Sequence, residues 1–291
     1  DIFVPLDYII GGTEQAGKGW RMLVECLSAG RAISLPSGAM GGAKASACAT
    51  GAYARVREQF NVPIAEFEGI AEPLGRIAGY TYIITASVNT TAMAIGAGEK
   101  PAVISAIMKY HTTEMARKIS IDAMDIHGGK AVMRGPKNYM ASGHEAAPIG
   151  ITVEGANILT RSLIIFGQGA FRCHPYVLKE IEAVEQEDAD ESLEQFDRHF
   201  FNHFAYTLSN VARSFVLGIS QKFGNSPVVG ETENYYKHIN RFSAAFALLT
   251  DVSMLVLGGS LKRKETLSAR LGDVLSSLYL ASTTLKYFED Q

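Results

Sequence analysis

The chain has 291 residues, 47% of them hydrophobic and 20% charged, with a formal net charge of −3. This is the balance of a soluble globular protein with one large or two modest cores. With no basic block interleaved with aromatics, it excludes nucleic acid as a partner. Cys26, Cys48 and Cys173 stand far apart with no C-x-x-C spacing, so neither a zinc site nor a disulfide framework is expected and a reducing compartment fits. No basic segment followed by an apolar one opens the chain, so no signal peptide is expected.

Residues 1–19 read as the tail of a preceding element: residues 2–10 alternate apolar and polar side chains and stop at Gly11-Gly12. Over residues 17–60, small and apolar residues recur with helical rhythm, first Trp20, Leu23, Val24 and Leu27, then Ala45, Cys48, Ala52 and Val56. Pro36 is expected to kink or divide this run, and Gly38, Gly41 and Gly42 allow a neighbouring helix to come close. Asn61-Val62-Pro63 makes a turn, a second helical run spans 64–97 before Gly98 and Pro101, and a third spans 102–126 before Gly128-Gly129. A loop of Gly, Pro, Ser and Ala over 141–151 leads into a fourth run beyond Glu154. Four such helices with short connections predict an antiparallel bundle.

Residues 179–194 are dominated by Glu and Asp and are expected to form a solvated, mobile connection. Three further helices are predicted over 196–223, 234–257 and 265–288. Strand signals are nearly absent, so the fold class is all-α: an antiparallel four-helix bundle with a helical C-terminal extension. The most apolar stretches, 86–98 and 244–259, fall short of the about 20 apolar residues of a bilayer span and are expected as buried helices, with attachment to a membrane surface left open.

The stretch around which the rest is organised is Glu154-Gly155, at the predicted start of the fourth helix. A carboxylate there lies near the positive end of the helix dipole, and the missing side chain of Gly155 lets a ligand approach the backbone. On spacing alone, a plain helix-start acid stays the alternative. His199 and His203 share a helix face beside Asp197, but no Glu stands between them as in H-E-x-x-H, and Phe200, Phe201 and Phe204 around them are expected in the core; no metal is expected. Gly128-Gly129 after Asp125, Ile126 and His127 is either a helix end or a stretch of backbone open to a ligand. Arg57 with Glu58, Gln59 and Phe60 is either a cation at a helix C-terminus or a phosphate-binding Arg beside an aromatic.

Taken in this order, the pieces resemble the C-terminal helical domain of the flavin-dependent acyl-CoA dehydrogenases over roughly residues 5–169. The family's Arg-x-x-Phe-Gly turn appears as Arg57-Glu58-Gln59-Phe60-Asn61, its Gln-x-x-Gly-Gly turn as Asp125-Ile126-His127-Gly128-Gly129, and its Glu-Gly-Thr as Glu154-Gly155-Ala156. Asn61, Asp125 and Ala156 thus stand where the family has Gly, Gln and Thr. Residues 257–264 and 268–276 resemble the extra C-terminal region of the large bacterial FadE-type enzymes, which act on medium- to long-chain acyl-CoA in fatty-acid β-oxidation. The resemblance implies three segments: 1–16, the tail of a preceding β-domain; 17–170, the helical bundle; and 171–291, the helical extension.

It also implies roles. Glu154 takes the α-proton of the acyl thioester while a hydride leaves the β-carbon for FAD, and Gly155 makes room for the substrate. Arg57, Gln59 and Phe60 hold the pyrophosphate and adenine side of FAD across a subunit boundary, Asp125, Gly128 and Gly129 line another part of its path, and Arg31 meets the CoA moiety. Electron-transfer flavoprotein as electron acceptor, homo-oligomerisation and a place in the bacterial cytoplasm, peripheral to the inner membrane, follow from the same resemblance. The alternatives are an acyl-CoA oxidase on the same scaffold and a non-catalytic helical scaffold or acyl-binding module.

Overall fold

The computed structural model describes residues 2–100, 103–220 and 224–291, without the side chains of residues 20, 21, 24, 25, 28 and 29. The helix ends predicted at Pro101, Ala102 and Phe223, and the side chains of Trp20 and Val24, lie outside the described residues. The chain opens with an extended stretch carrying 3-10 turns at Leu6–Tyr8 and Thr13–Gln15, its apolar side chains exposed. Helix α1, Gly19–Val56, then runs unbroken through the buried Pro36. Proline removes one backbone hydrogen bond, and the packing of α1 on both α2 and α3 holds the rod together where the sequence predicted a division.

Helix α1 ends in a hairpin of two-residue strands, β1 Glu58–Gln59 and β2 Val62–Pro63, whose corner residues Phe60 and Asn61 have φ of 53° and 65°. Two positive φ values in a two-residue loop are what the right-handed twist of a hairpin demands. Asn tolerates that region better than most non-glycine residues, so Asn61 does here what glycine does in the related motif. Helix α2, Glu68–Gly96, and helix α3, Ile104–His127, follow. After the short α4, Gly129–Val132, comes α5, Ala141–Thr152. The latter corrects the predicted loop over 141–151. Its small residues let it lie close on α3, where a Cβ added to Gly150 would meet Thr113 at 3.4 Å, and that tertiary contact overrides weak intrinsic helix preference.

A bend of 48° at residues 153–156 separates α5 from the helix Asn157–Cys173, which starts as α6, Asn157–Leu159, passes through a π-helical segment, Thr160–Gln168, and ends as α7, Gly169–Cys173. The C-terminal part holds α8, Val177–Val184; α9, Ala189–Ile219; α10, Glu233–Leu257; a 3-10 stretch, Gly258–Arg263; and α11, Glu265–Glu289. The acidic stretch is therefore largely helical instead of a mobile connection. Asp188 caps α9 by accepting from the N–H groups of Asp190 and Glu191, and further acids cluster in the first turn, where the helix dipole favours them.

Phe200, Phe201 and Phe204 on α9 are exposed, correcting their expected place in the core. The stretch 244–259 is likewise only partly covered, with Leu255 and Val256 facing outward. By length and composition, Glu233–Arg263 is long and apolar enough to cross a bilayer, and most of its apolar window is unburied.

The main core joins Ile77, Ile84 and Val88 of α2 to Met108, Met115, Ile119 and Ile126 of α3, with Ala43 and Ala54 of α1. Leu280 of α11 belongs to the same cluster, so the last helix completes the bundle. Two hydrogen bonds pin it to α2, Ser87 to Thr283 at 2.9 Å and Thr91 to Tyr279 at 2.7 Å. On its other side, Arg161 makes a two-pronged contact with Asp273. Helix Asn157–Cys173 packs so tightly on α3 that a Cβ at Gly169 would stand 2.7 Å from Val103. Leu280→Ala is expected to cost about 2–4 kcal/mol and to lower the urea midpoint of the whole helical signal in one transition; a separate early transition confined to residues 171–291 would show instead that α11 is an appendage.

Candidate functional site

Glu154 lies in the bend between α5 and α6, at φ 54°, and Gly155 follows at φ 90°. A glutamate in the left-handed region is uncommon and strained. It does not cap the next helix: the capping residue is Ala156, without a side-chain bond, and Asn157 is the first helical residue. This removes the plain helix-start reading. The Glu154 carboxylate is exposed, whereas what holds its backbone is buried.

Lys109, in the first turns of α3 and fully buried, donates to the carbonyls of Ile151 at 3.2 Å and Gly155 at 2.8 Å and to Oδ1 of Asn157 at 2.6 Å. Asn157 in turn donates to Thr113 and Glu114 of α3. Thr160 gives its hydroxyl to the Gly155 carbonyl, and Arg31 of α1 donates to that hydroxyl at 2.8 Å. A Cβ at Gly155 would meet the Arg31 guanidinium at 3.4 Å, so the turn rests directly on α1. Burial lowers the affinity of Arg31 for its proton, against the opposing pull of Glu154. Burial, with Arg31 adding to it, pulls the Lys109 ammonium down to about 8, while Glu154 and Glu114 oppose the shift.

Beside this turn, α1, α3 and α5 enclose a largely apolar cavity of about 660 Å³ lined by Leu35, Ala39, Ala116, Met140, Ala147 and Gly150 among others. Gly150 and Thr113, the latter a partner of Asn157, bring one side of the cavity near the bend, and Tyr139 and His144 line it farther along. The glycines and alanines of α1 leave this space by having no side chains to fill it.

The other predicted residues lie at the opposite end of the bundle. Arg57, Gln59 and Phe60 are exposed on the hairpin, Phe60 meeting Phe67 edge-on. Asp125, Gly128 and Gly129 close α3 nearby, tied to the end of α1 by the stacking of His127 on Tyr53 at 4.3 Å. Gly128 adopts φ 57°, and a Cβ there or at Gly129 would meet nothing, beside an open concavity of about 610 Å³. Arg31 within α1 and Arg57 just past its end stand 26 residues apart, about 39 Å of helix. One chain therefore brings Glu154, Gly155 and Arg31 together and keeps the remaining six at a distance. Lys109, Asn157 and Thr160 were missed by sequence reasoning; the signal for Lys109 is a lone cation in the apolar run Ile107-Met108-Lys109-Tyr110.

Comparison with known proteins bears on both ends. A family model described as "Acyl-CoA dehydrogenase, C-terminal domain" matches residues 17–166, and one described as "Acyl-CoA dehydrogenase, C-terminal, bacterial type" matches residues 171–291. The chain is 67% identical over 52 residues to Protein HemX of Proteus mirabilis, which covers 18% of this chain and 31% of that protein. It is 34% identical over 115 residues to 3-(aryl)acrylate reductase of Clostridium sporogenes, 40% of this chain and 30% of the relative. The chain thus matches about a third of the length of these relatives. In fold it is similar to an acyl-CoA dehydrogenase from Bacillus anthracis crystallised with FAD, with a TM-score of 0.66 over 92% of this chain and 43% of that one, at 19% identity.

A third cluster lies within residues 171–291. His174 faces Asp251 at 2.9 Å, His203 stands 3.5 Å from the same oxygen and 2.8 Å from Glu180, and Thr207 donates to the second oxygen of Asp251. His203, expected to share a helix face with His199, stands instead against His174, their ring centroids 4.6 Å apart. The three side chains have metal-site proximity, but the backbone N–H groups of Tyr176 and Val177 both donate to Nδ1 of His174. That fixes the proton on Nε2, which donates to Asp251 and has no lone pair for a metal. Burial raises the Asp251 carboxyl, and the hydrogen bonds from His174, Thr207 and His203 outweigh it and hold the group below its usual range. The cluster is a clasp joining α8, α9 and α10. His174→Ala is expected to destabilise the chain by about 1–3 kcal/mol, the cost of buried groups left unpaired, in urea unfolding; zinc is expected to leave the melting temperature of the native chain unchanged, and a rise on zinc addition would refute the tautomer assignment.

Proposed function

We propose, from the premise that the chain belongs to the acyl-CoA dehydrogenase family, that it carries the catalytic base of a flavin-dependent dehydrogenase acting on medium- to long-chain acyl-CoA in fatty-acid β-oxidation. The observation that carries this reading is Glu154 itself. An exposed carboxylate is held in a strained backbone conformation by buried donors, beside an apolar cavity. Strain of about 1–3 kcal/mol persists where surroundings over-determine it, and it clusters at sites of chemistry.

In this reading the acyl chain lies in the cavity between α1, α3 and α5, which has the size of a small-molecule pocket. The thioester lies against the turn, where the N–H of Glu154 donates to its carbonyl and the absent side chain of Gly155 leaves room. Charge drawn onto that carbonyl acidifies the α-carbon, and the Glu154 carboxylate takes the proton. FAD, when bound, supplies the acceptor for the hydride leaving the β-carbon. Arg31 reaches the CoA moiety from beneath the turn.

The residues at the far end suit a flavin dinucleotide. Arg57 is exposed and has no ion-pair partner among the described residues, so its guanidinium is free for a pyrophosphate. Phe60, 89% exposed, offers a flat face to an adenine, and the open backbone at Gly128 and Gly129 leaves space for the chain between, beside Asp125. Because about 39 Å of helix separates Arg57 from Arg31, a cofactor reaching Glu154 is proposed to be held by Arg57, Gln59 and Phe60 of a second copy, which makes the working form a homo-oligomer. Electron-transfer flavoprotein is the proposed electron acceptor, at the cytoplasmic face of the bacterial inner membrane.

In the flavin-loaded protein carrying this chain, Glu154→Gln is expected to bind acyl-CoA while slowing anaerobic bleaching of the flavin by about 10²–10⁴-fold. Bleaching at the native rate would remove Glu154 from the role. A second reading, reduction of a 2-enoyl substrate, is favoured by the 34% identity to 3-(aryl)acrylate reductase; reoxidation of the reduced flavin by an enoyl substrate, with no bleaching by the saturated acyl-CoA, would select it. Peroxide released in air without an added acceptor would select an oxidase.

A further inference from the structure

We propose that Lys109 is a positioning residue of this site: its three N–H bonds fix the backbone around Glu154 and so set the aim of the carboxylate. The inference rests on the reading of Glu154 as the base, but its geometry stands independently.

Lys109 is completely removed from solvent, and among the described residues no carboxylate lies within ion-pair distance of it. A buried ammonium without a paired carboxylate is costly, and an apolar side chain of similar volume ordinarily serves a core better. The compensation is that each of its three N–H groups has an acceptor, and all three acceptors bracket residue 154. Ile151 is in the last turn of α5, Gly155 is the next residue after Glu154, and Asn157 begins the following helix. The charged groups facing the ammonium are Arg31 of α1, Glu114 of α3 and Glu154 of the turn.

The turn needs such a brace. Glu154 at φ 54° is held against its intrinsic preference, and Gly155 at φ 90° is the residue type that resists movement least. Stiffness must therefore come from outside the turn. The Gly155 carbonyl receives it twice, from Lys109 and from the Thr160 hydroxyl, the latter backed by Arg31. Released, the peptide between Gly155 and Ala156, whose carbonyl these bonds hold, is free to rotate, and the pliant Gly155 lets the turn before it shift, which would move the carboxylate of Glu154 and the N–H proposed to meet the thioester.

The test uses Lys109→Met, close in volume and uncharged, in the flavin-loaded protein. The expected result is a split: the dissociation constant for acyl-CoA changes by no more than about 3-fold, while flavin reduction slows by about 10²-fold, the loss associated with a misplacement of about 1 Å. Amide hydrogen exchange at Val153 and Thr160, whose N–H groups donate to Ile149 and Ala156 on the two sides of the bend, is expected to rise at least about 10-fold, with the interior of α2 unchanged, a readout independent of activity. Should Lys109→Met fail to fold, Asn157→Ala, which keeps the ammonium and removes one of its acceptors together with the amide's bonds to Thr113 and Glu114, takes its place with the same outcomes. Native reduction rate and native exchange in the substituted protein would overturn the proposal. The two readings separate cleanly: a Glu154→Gln protein that bleaches normally defeats the base assignment while exchange still reports on the brace, and an inactive Glu154→Gln beside a fully active Lys109→Met defeats the brace alone.

Discussion

Lys109 carries its ammonium out of water with three oxygen acceptors around it and, among the described residues, no carboxylate within ion-pair distance, and four elements meet at this point. Helix α3 supplies the amine, α5 and the bend supply carbonyls, and the start of the next helix supplies an amide that returns to Thr113 and Glu114. Neutral side chains in its place would fill the volume without fixing the relative rotation of these elements. Directional bonds do fix it, and each must be made well because a buried donor without an acceptor loses more than a good bond gains. The bend of 48° between α5 and the following helix is thus a specified angle.

The bundle has two chemically distinct ends joined by long, nearly featureless rods. One end concentrates cations and a strained carboxylate; the other presents a hairpin beside an exposed arginine, with an exposed aromatic and open glycine backbone, and the apolar cavity lies along the helices between them. Helices α1 and α3 pack directly on each other, with α2 against both, and their starts lie together and their ends together, as Arg31 near Lys109 and Tyr53 against His127 record. The separation is a consequence of helix length, which the uninterrupted passage through Pro36 preserves.

The long helices were legible in the sequence because their apolar periodicity is strong, whereas Glu154-Gly155 stood out only as the third of an ordered series that resembles the family, since on spacing alone a plain helix-start acid stayed the alternative. What escaped was decided by tertiary contact. Helix α5 looked like a loop because Ser142, Gly143, Pro148 and Gly150 disfavour helix locally, whereas its closeness to α3 rewards small residues. The acids near residue 188 looked like a solvated tether because charge density says nothing about which carboxylate caps a helix. Lys109 escaped because a lysine in a helical run is normally taken for a solvent-facing one, and its burial depends on oxygen atoms more than 40 residues away. The phenylalanines of α9 misled in the opposite direction, since hydrophobicity alone does not reveal which face a neighbour covers.

Leu280 and Tyr279 have a consequence for how the molecule comes into being. Helices α1 to α3 are synthesised before the rest of these helices, yet the side of α2 that carries Ser87 and Thr91 is sealed by α11, made after α8, α9 and α10. Chains emerge from the ribosome at about 5–20 residues per second, so the nascent bundle waits several seconds with an open apolar flank. During that interval the intervening helices, with their own exposed phenylalanines, compete for the same surface. Hydroxyl pairs between α2 and α11 give this later helix a register that a purely greasy contact would lack, and in this way they act as its address.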